Sequence, residues 1–271
     1  IDEAHRIKSG HSSIRWRACY ELAQVVKRVE LLTGTPMPQG EDDLVNLFTL
    51  SWKNLPKKFL SNTYLKNLKR GGVFVRTTKE ELNLPKLNVK TEIVEMHELQ
   101  AELYSALKKS YLGRFGLSNN DAKYFAHRGR AVMTLIAAAS NPSLLNSSFD
   151  EEAFLGLSWP PKELSSNQDL LKLMNQYLKH EMPVKFKWIS NFVESKFKEN
   201  KKVLIWSSFV GNILALEKLL EPYNPAVIYG SVSGDDRKIQ LKKFRESENC
   251  GVLITNAQTL GEGVSLHQVC H

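Results

Sequence analysis

Val203-Leu204-Ile205-Trp206, Ala226-Val227-Ile228-Tyr229 and Gly251-Val252-Leu253-Ile254-Thr255 are the runs that decide the fold. Each is a short apolar stretch bounded by polar or turn-forming residues, the pattern of a strand buried on both faces. Between the first two, Asn212 to Leu220 carries Ile213, Leu216, Leu219 and Leu220 at helical spacing. Between the last two, Asp235 to Phe244 reads as a further helix. Strands alternating with helices predict an α/β architecture with a parallel sheet covered on both sides.

Upstream, the pattern changes. From about Ser51 to His180 the chain is mainly helical and basic, with helices expected over Leu99 to Tyr111 and Asp121 to Ala139. Asn141-Pro142 ends the second of these. Phe74-Val75 is expected as a strand, Glu92 to Met96 as extended, and the Ser-, Pro- and acid-rich stretch Asn146 to Asn167 as a long loop. Residues 1–50 return to α/β character. Trp16 to Val26 has helical spacing, with Ala18, Leu22, Val25 and Val26 predicted as its inward stripe. Val29-Glu30-Leu31-Leu32 reads as a short buried strand stopped by Thr33-Gly34-Thr35-Pro36, and Asp42-Asp43 as an acidic helix start ahead of Leu44, Leu47 and Phe48. Trp188 and Trp206 lie in apolar patterns and are expected in the core, whereas His127, Arg128 and Arg130 are expected on a solvated helix face.

Composition excludes several classes. No apolar run approaches the roughly 18 residues of a membrane span, and Ile1 to His5 lacks the basic start and apolar stretch of a signal peptide. Cys19, Cys250 and Cys270 are too few and too scattered for a disulfide framework or a zinc site, which suits a reducing cytoplasm. The formal charge of +8 is concentrated. Lys53 to Arg130 holds 16 Lys and Arg against 7 Asp and Glu, and the rest is close to balanced. Such a block attracts a polyanion such as nucleic acid, with salt-dependent binding, or forms a solvated Lys-rich helical surface.

Two short segments carry chemistry. Asp2-Glu3-Ala4-His5, if it ends a buried strand, supplies what a nucleoside triphosphatase needs opposite its phosphates. One carboxylate can hold Mg²⁺, which prefers oxygen ligands and keeps much of its water. Its neighbour can orient the water that attacks the γ-phosphate. Placed beside that strand end, Thr33 and Thr35 can hydrogen-bond to the His5 region and report the state of that phosphate. The same Thr33-Gly34-Thr35-Pro36 also reads as a plain strand-to-helix turn, with Gly34 giving backbone freedom.

Taken together, Asp2-Glu3-Ala4-His5-Arg6-Ile7-Lys8, Leu32-Thr33-Gly34-Thr35-Pro36 and Asp43 to Phe48 resemble motifs II and III of superfamily-two helicases, in the Swi/Snf-like translocase branch. Phe74 to Lys79, Leu84-Pro85 and Gln100 to Tyr104 resemble the passage from the first lobe to the second, although Thr77 stands where the family usually has a second arginine. Lys202 to Phe209 resembles motif IV, and Tyr229-Gly230-Ser231-Val232-Ser233 with Arg237 and Phe244 the segment after it. Val252 to Ala257, continuing through Gly261-Glu262-Gly263-Val264-Ser265-Leu266, resembles motif V, in a form similar to bacterial and phage-associated members.

The resemblance implies two RecA-like parallel-sheet lobes, both incomplete in these residues, with a helical basic insertion between them. The expected division is 1–85, 86–185 and 186–271. It implies an ATP-dependent motor on double-stranded DNA that uses ATP and Mg²⁺, stays with DNA in the cytoplasm and meets no membrane. Asp2 would be the Mg²⁺ carboxylate and Glu3 the water-positioning residue, with His5, Thr33, Gly34 and Thr35 coupling hydrolysis to movement. Ser207, Thr255, Asn256, Gly261 and Gly263 would face the nucleic-acid backbone, Gly263 also the nucleotide. No G-x-x-x-x-G-K-[ST] phosphate loop occurs in these residues. The arginine-bearing motif VI would fall after His271, so the 271 residues alone are expected not to hydrolyse ATP. A strand-separating helicase or restriction-type motor, and a non-catalytic nucleic-acid-binding scaffold, are the competing expectations.

Overall fold

In the parallel sheet the three strands follow the order β1-β3-β2, with β1 over Val203–Trp206, β2 over Ala226–Ile228 and β3 over Val252–Thr255. The computed structural model describes residues 1–36, 38–52, 75–78, 80–83, 88–112, 122–146, 168–261, 264–266 and 269. It divides into two compact units, Ile1–Val89 and Lys90–His271. Among the described residues, six helices precede β1: α1 (Ile14–Val25), α2 (Glu41–Ser51), α3 (Glu98–Leu112), α4 (Ala122–Ser140), α5 (Gln168–His180) and α6 (Val184–Lys198). Three more, α7 (Val210–Leu219), α8 (Gly234–Glu246) and α9 (Ala257–Leu260), separate or follow the strands.

The sheet follows from side-chain alternation. Val203 pairs with Val252 and Trp206 with Thr255, while Ala226 pairs with Leu253 and Ile228 with Thr255. On central β3, Val252 and Ile254 pack with Ile213 and Leu216 of α7 and Phe186 and Val193 of α6. Leu253 joins Ala226, Ile228 and Phe244 of α8 on the other face. A period of two thus fills both faces of one buried strand. Helix α8 starts where the Ser233 hydroxyl accepts from the Asp236 amide, with Asp235 and Asp236 in its first turn. It ends where Lys202 Nζ donates to the carbonyls of Phe244 and Ser247. Trp206 departs from expectation: it is 47% exposed, because it closes edge strand β1. Trp188 is half-buried, stacked on Phe192 at 5.1 Å.

Helices α3, α4 and α5 form an apolar layer in the same unit, with Leu103, Leu107, Ala137, Leu145 and Met174 at its centre. Phe209, just after β1, is buried in that layer, and Asn212 Nδ2 donates to Ser140 Oγ at 2.9 Å. Gln100 fixes the helix ends. Its Nε2 donates to the carbonyls of Ala138 and Ala139, and its Oε1 accepts from the Val184 amide. Both oxygens of Glu181 accept from the first-turn amides of Leu99 and Gln100. The Tyr177 hydroxyl is buried here, and burial first, then the Glu181 charge, pushes its pKa upward. No strand forms over Glu92 to Met96, and Ile93 is exposed. Val75 lies in no element, while Phe74, Leu84, Pro85 and 147–167 fall outside the described residues, as do the side chains of His127, Arg128 and Arg130.

In Ile1–Val89 the core gathers Ala4, Ile7, Trp16, Leu47 and Leu50. The predicted inward stripe of α1 is corrected here. Ala18, Leu22, Val25 and Val26 are exposed, Leu22 at 61%, and the helix buries Trp16 and Ala23 instead. Trp16 wins because its ring stacks on Tyr20 and its Nε1 donates to the Asn46 carbonyl at 2.9 Å. Val29 to Leu32 is likewise not a buried strand: Leu32 is exposed, and among the described residues of this unit no strand is formed. One parallel pairing remains. The Ile1 amino group donates to the Glu30 carbonyl at 2.7 Å, and the Leu32 amide to the Ile1 carbonyl at 2.9 Å. That alternation sets Ile1 opposite Leu31 as in a parallel ladder.

Candidate functional site

The parallel pairing of Ile1 brings Asp2-Glu3 to the mouth of the Thr33 turn. Ala4, wholly buried, donates its amide to the Leu32 carbonyl at 2.9 Å, which fixes the chain just after the two acids. Between them Glu3 adopts a left-handed conformation, φ 48° and ψ 45°, uncommon for a residue with a Cβ. The chain then enters a 3₁₀ turn over Ala4–Ile7. Asp2 Oδ1 accepts from the Glu3 amide at 2.8 Å. His5 Nδ1 lies 3.1 Å from Thr33 Oγ1 and 3.2 Å from Glu3 Oε2. Thr33 Oγ1 in turn accepts from the Thr35 amide at 3.2 Å. Glu3, His5, Thr33 and Thr35 are therefore joined through one imidazole and one hydroxyl, and Asp2 is tied to them through the Glu3 amide. Gly34 has open space where a Cβ would stand and no left-handed φ, so the turn does not demand glycine there.

A second set of contacts holds this loop and was not foreseen from the sequence. Asn46 Nδ2 donates to the Lys8 carbonyl at 2.8 Å, Lys8 Nζ lies 3.9 Å from Asp43 Oδ2, and Asp43 Oδ2 accepts from the Gln39 amide at 2.7 Å. Gly10 has φ +63°, and a Cβ on it would stand 2.6 Å from Asn46 Oδ1. The residues after the acids are thus bracketed onto α2. Asp43 is visible in the sequence as an acidic helix start, but a mid-helix Asn such as Asn46 reads as solvated, and nothing in its pattern signals the contact.

The second-unit residues converge at the C-terminal ends of β1 and β3, where the Ser207 amide donates to the Thr255 carbonyl at 2.9 Å. Their side chains look inward. Ser207 Oγ is engaged with the backbone of Phe209, Thr255 is fully buried, and Asn256 Oδ1 accepts from the Thr259 amide as the cap of α9. The carbonyls of Thr255 and Asn256 are also engaged within the protein, that of Thr255 by the Ser207 amide and that of Asn256 by the Thr259 and Leu260 amides. Gly261 ends α9, and a Cβ there would stand 2.3 Å from the Ala257 carbonyl oxygen. Gly263 lies outside the described residues, as does Glu262. A hollow of about 440 Å³ beside Asn141, Tyr177, Glu181 and Lys218 contains none of the predicted site residues.

Mg²⁺ and ATP fit the donor set at Asp2. One Asp2 oxygen is used by the Glu3 amide, and no partner is recorded for the other among the described residues. A single free carboxylate oxygen is a donor that a hydrated cation of this kind accepts.

Comparison with known proteins bears on this part of the chain. Residues 184–271 match the helicase conserved C-terminal domain. Nearly the whole chain, 98%, is 25% identical over 287 residues to Protein CHROMATIN REMODELING 4 of Arabidopsis thaliana, of which it spans 12%. Solved structures similar to it include the Sulfolobus solfataricus SWI2/SNF2 ATPase core in complex with dsDNA, at 18% identity and TM-score 0.42, covering 94% of this chain and 53% of that one. The C-terminal domain of the Sulfolobus solfataricus SWI2/SNF2 ATPase matches at 16% identity and TM-score 0.42, covering 63% of each. Residues 184–271 are thus similar to a helicase C-terminal domain, and the chain as a whole is similar in sequence to a chromatin-remodelling protein of which it spans 12%. No helix among the described residues is long and apolar enough to cross a membrane.

Proposed function

We propose that this chain contributes to an ATP-driven motor that moves along double-stranded DNA without a requirement to part its strands. The observation that carries this reading is the join between Asp2-Glu3 and Thr33 through His5 Nδ1, at 3.2 and 3.1 Å. Mg²⁺, when bound, supplies charge neutralisation at the phosphates. Asp2 is the carboxylate that would hold it. Glu3 orients the attacking water and accepts its proton, placement and charge being most of what phosphoryl transfer requires. His5, Thr33 and Thr35 carry the state of the acid pair to the turn ahead of α2. Backbone at Ser207, Thr255, Asn256, Gly261 and Gly263 meets the phosphodiester chain, so little sequence preference is expected. The basic stretch Lys53 to Arg130 supports polyanion binding with strong salt dependence.

The test uses a complete motor containing this chain. Glu3→Gln should lower DNA-stimulated ATP turnover by about 10² to 10³-fold, while wild type should displace a triplex-forming strand without unwinding the duplex. Normal turnover in Glu3→Gln overturns the catalytic reading. Unwinding of the duplex instead makes the protein a strand-separating helicase.

A further inference from the structure

We propose that His5 is a positioning residue that withholds Glu3 from catalysis at rest and releases it by passing one hydrogen bond to Thr33. This rests on Glu3 being the water-positioning carboxylate. His5 Nδ1 faces two oxygens at nearly equal distance, Glu3 Oε2 at 3.2 Å and Thr33 Oγ1 at 3.1 Å. A carboxylate offers no hydrogen, and the Thr33 oxygen also accepts from the Thr35 amide. The arrangement therefore places a hydrogen on Nδ1, shared between two acceptors. The carboxylate takes the larger share, since a hydrogen bond to an ionised acceptor is about twice as strong as a neutral one. Glu3 combines a left-handed backbone with a side chain that reaches His5 while 46% exposed, so burial does not confine it.

To orient a water, the Glu3 carboxylate must leave the imidazole. When it does, the Nδ1 hydrogen falls wholly to Thr33, and the Thr33-Thr35 turn gains what the acid loop gives up. One proton stays on one nitrogen throughout and only its acceptor changes, so no bond is made or broken.

The first readout needs no nucleotide. In the 271-residue chain, ¹⁵N spectra should show the His5 ring as the Nδ1–H tautomer. Replacing Glu3 by Ala should speed solvent exchange of that N–H about tenfold, and Thr33→Val should change it less. An Nε2–H ring in wild type, or an exchange rate indifferent to Glu3→Ala in a chain whose backbone spectrum is otherwise unchanged, overturns the proposal. If Glu3→Ala disturbs that spectrum, Glu3→Gln replaces it and should speed exchange to a smaller degree, an unchanged rate being the overturning result.

The second readout uses the complete motor. His5→Ala should raise ATP turnover without DNA several-fold and shrink the stimulation by DNA, a split that a merely structural defect does not produce. If Glu3→Gln abolishes turnover but His5→Ala lowers both rates in proportion, only the withholding role fails. If Glu3→Gln is as active as wild type, this inference and the catalytic reading fail together.

Discussion

The acid loop of residues 1–10 and the strand ends at Ser207 and Thr255 are both turns that leave a strand-like segment, yet they are held by opposite means. At Thr255 the backbone continues a ladder, Val252, Leu253 and Ile254 are fully buried, and the polar groups are spent on local capping. At Asp2-Glu3 one parallel pairing and a few side-chain bonds do the work, and both acids remain in solvent. The first kind of site is stabilised by apolar area spread over many close-packed contacts. The second depends on single bonds whose loss is not shared. A backbone ladder and a set of single bonds therefore differ in how locally each can open.

The contrast can be broken first in the sheet. Phe244→Ala empties a fully buried position against Ala226, Ile228 and Leu253. It should cost about 3 to 5 kcal/mol, read as a lower denaturant midpoint for the unit from Lys90 to His271. The acid loop should respond to a smaller change. Gly10→Ala forces a side chain into a left-handed backbone and against Asn46 Oδ1, and should cost about 1 to 3 kcal/mol. Amide exchange should rise over residues 4–16 and not in β3; equal protection in both variants would show that Asn46 yields freely.

A still smaller effect sharpens the comparison on the surface. The Glu199 carboxyl is lowered to about 2, first by its hydrogen bond from Lys196 and then by that from Lys201. A depressed carboxyl stabilises the fold above its ordinary value of 4.5, and the contribution is lost as pH falls from there through about 2. Because the group is fully solvated, the change in stability should be slight. The measurement is the side-chain titration of Glu199, which Lys196→Ala should return most of the way toward the ordinary carboxylate range.

The strands, α7 and α8 were legible because buried strands and capped amphipathic helices each leave a period or a boundary residue in the sequence. The face of α1 was not. Ala18, Leu22 and Val25 form a more apolar stripe than Trp16 and Ala23, but the burial of Trp16 is decided by a hydrogen bond to Asn46, thirty positions away. Trp206 was misread for a related reason: an apolar run does not say whether its strand lies at the edge of the sheet. In the candidate site, the closeness of His5 to Thr33 could be expected from two strand-like segments laid side by side. That His5 also reaches Glu3 could not, because it follows from one backbone angle at Glu3 that the sequence Asp-Glu-Ala-His does not specify.

Gln100 has a wider consequence than its single amide suggests. It ties the last turn of α4 and the first amide of α6 to the start of α3, and Glu181 closes the same corner. The last turn of α4 and the first turn of α6, where the stretch similar to a helicase C-terminal domain begins, are therefore held in register by one side chain, so that loosening it would free both helix ends at once.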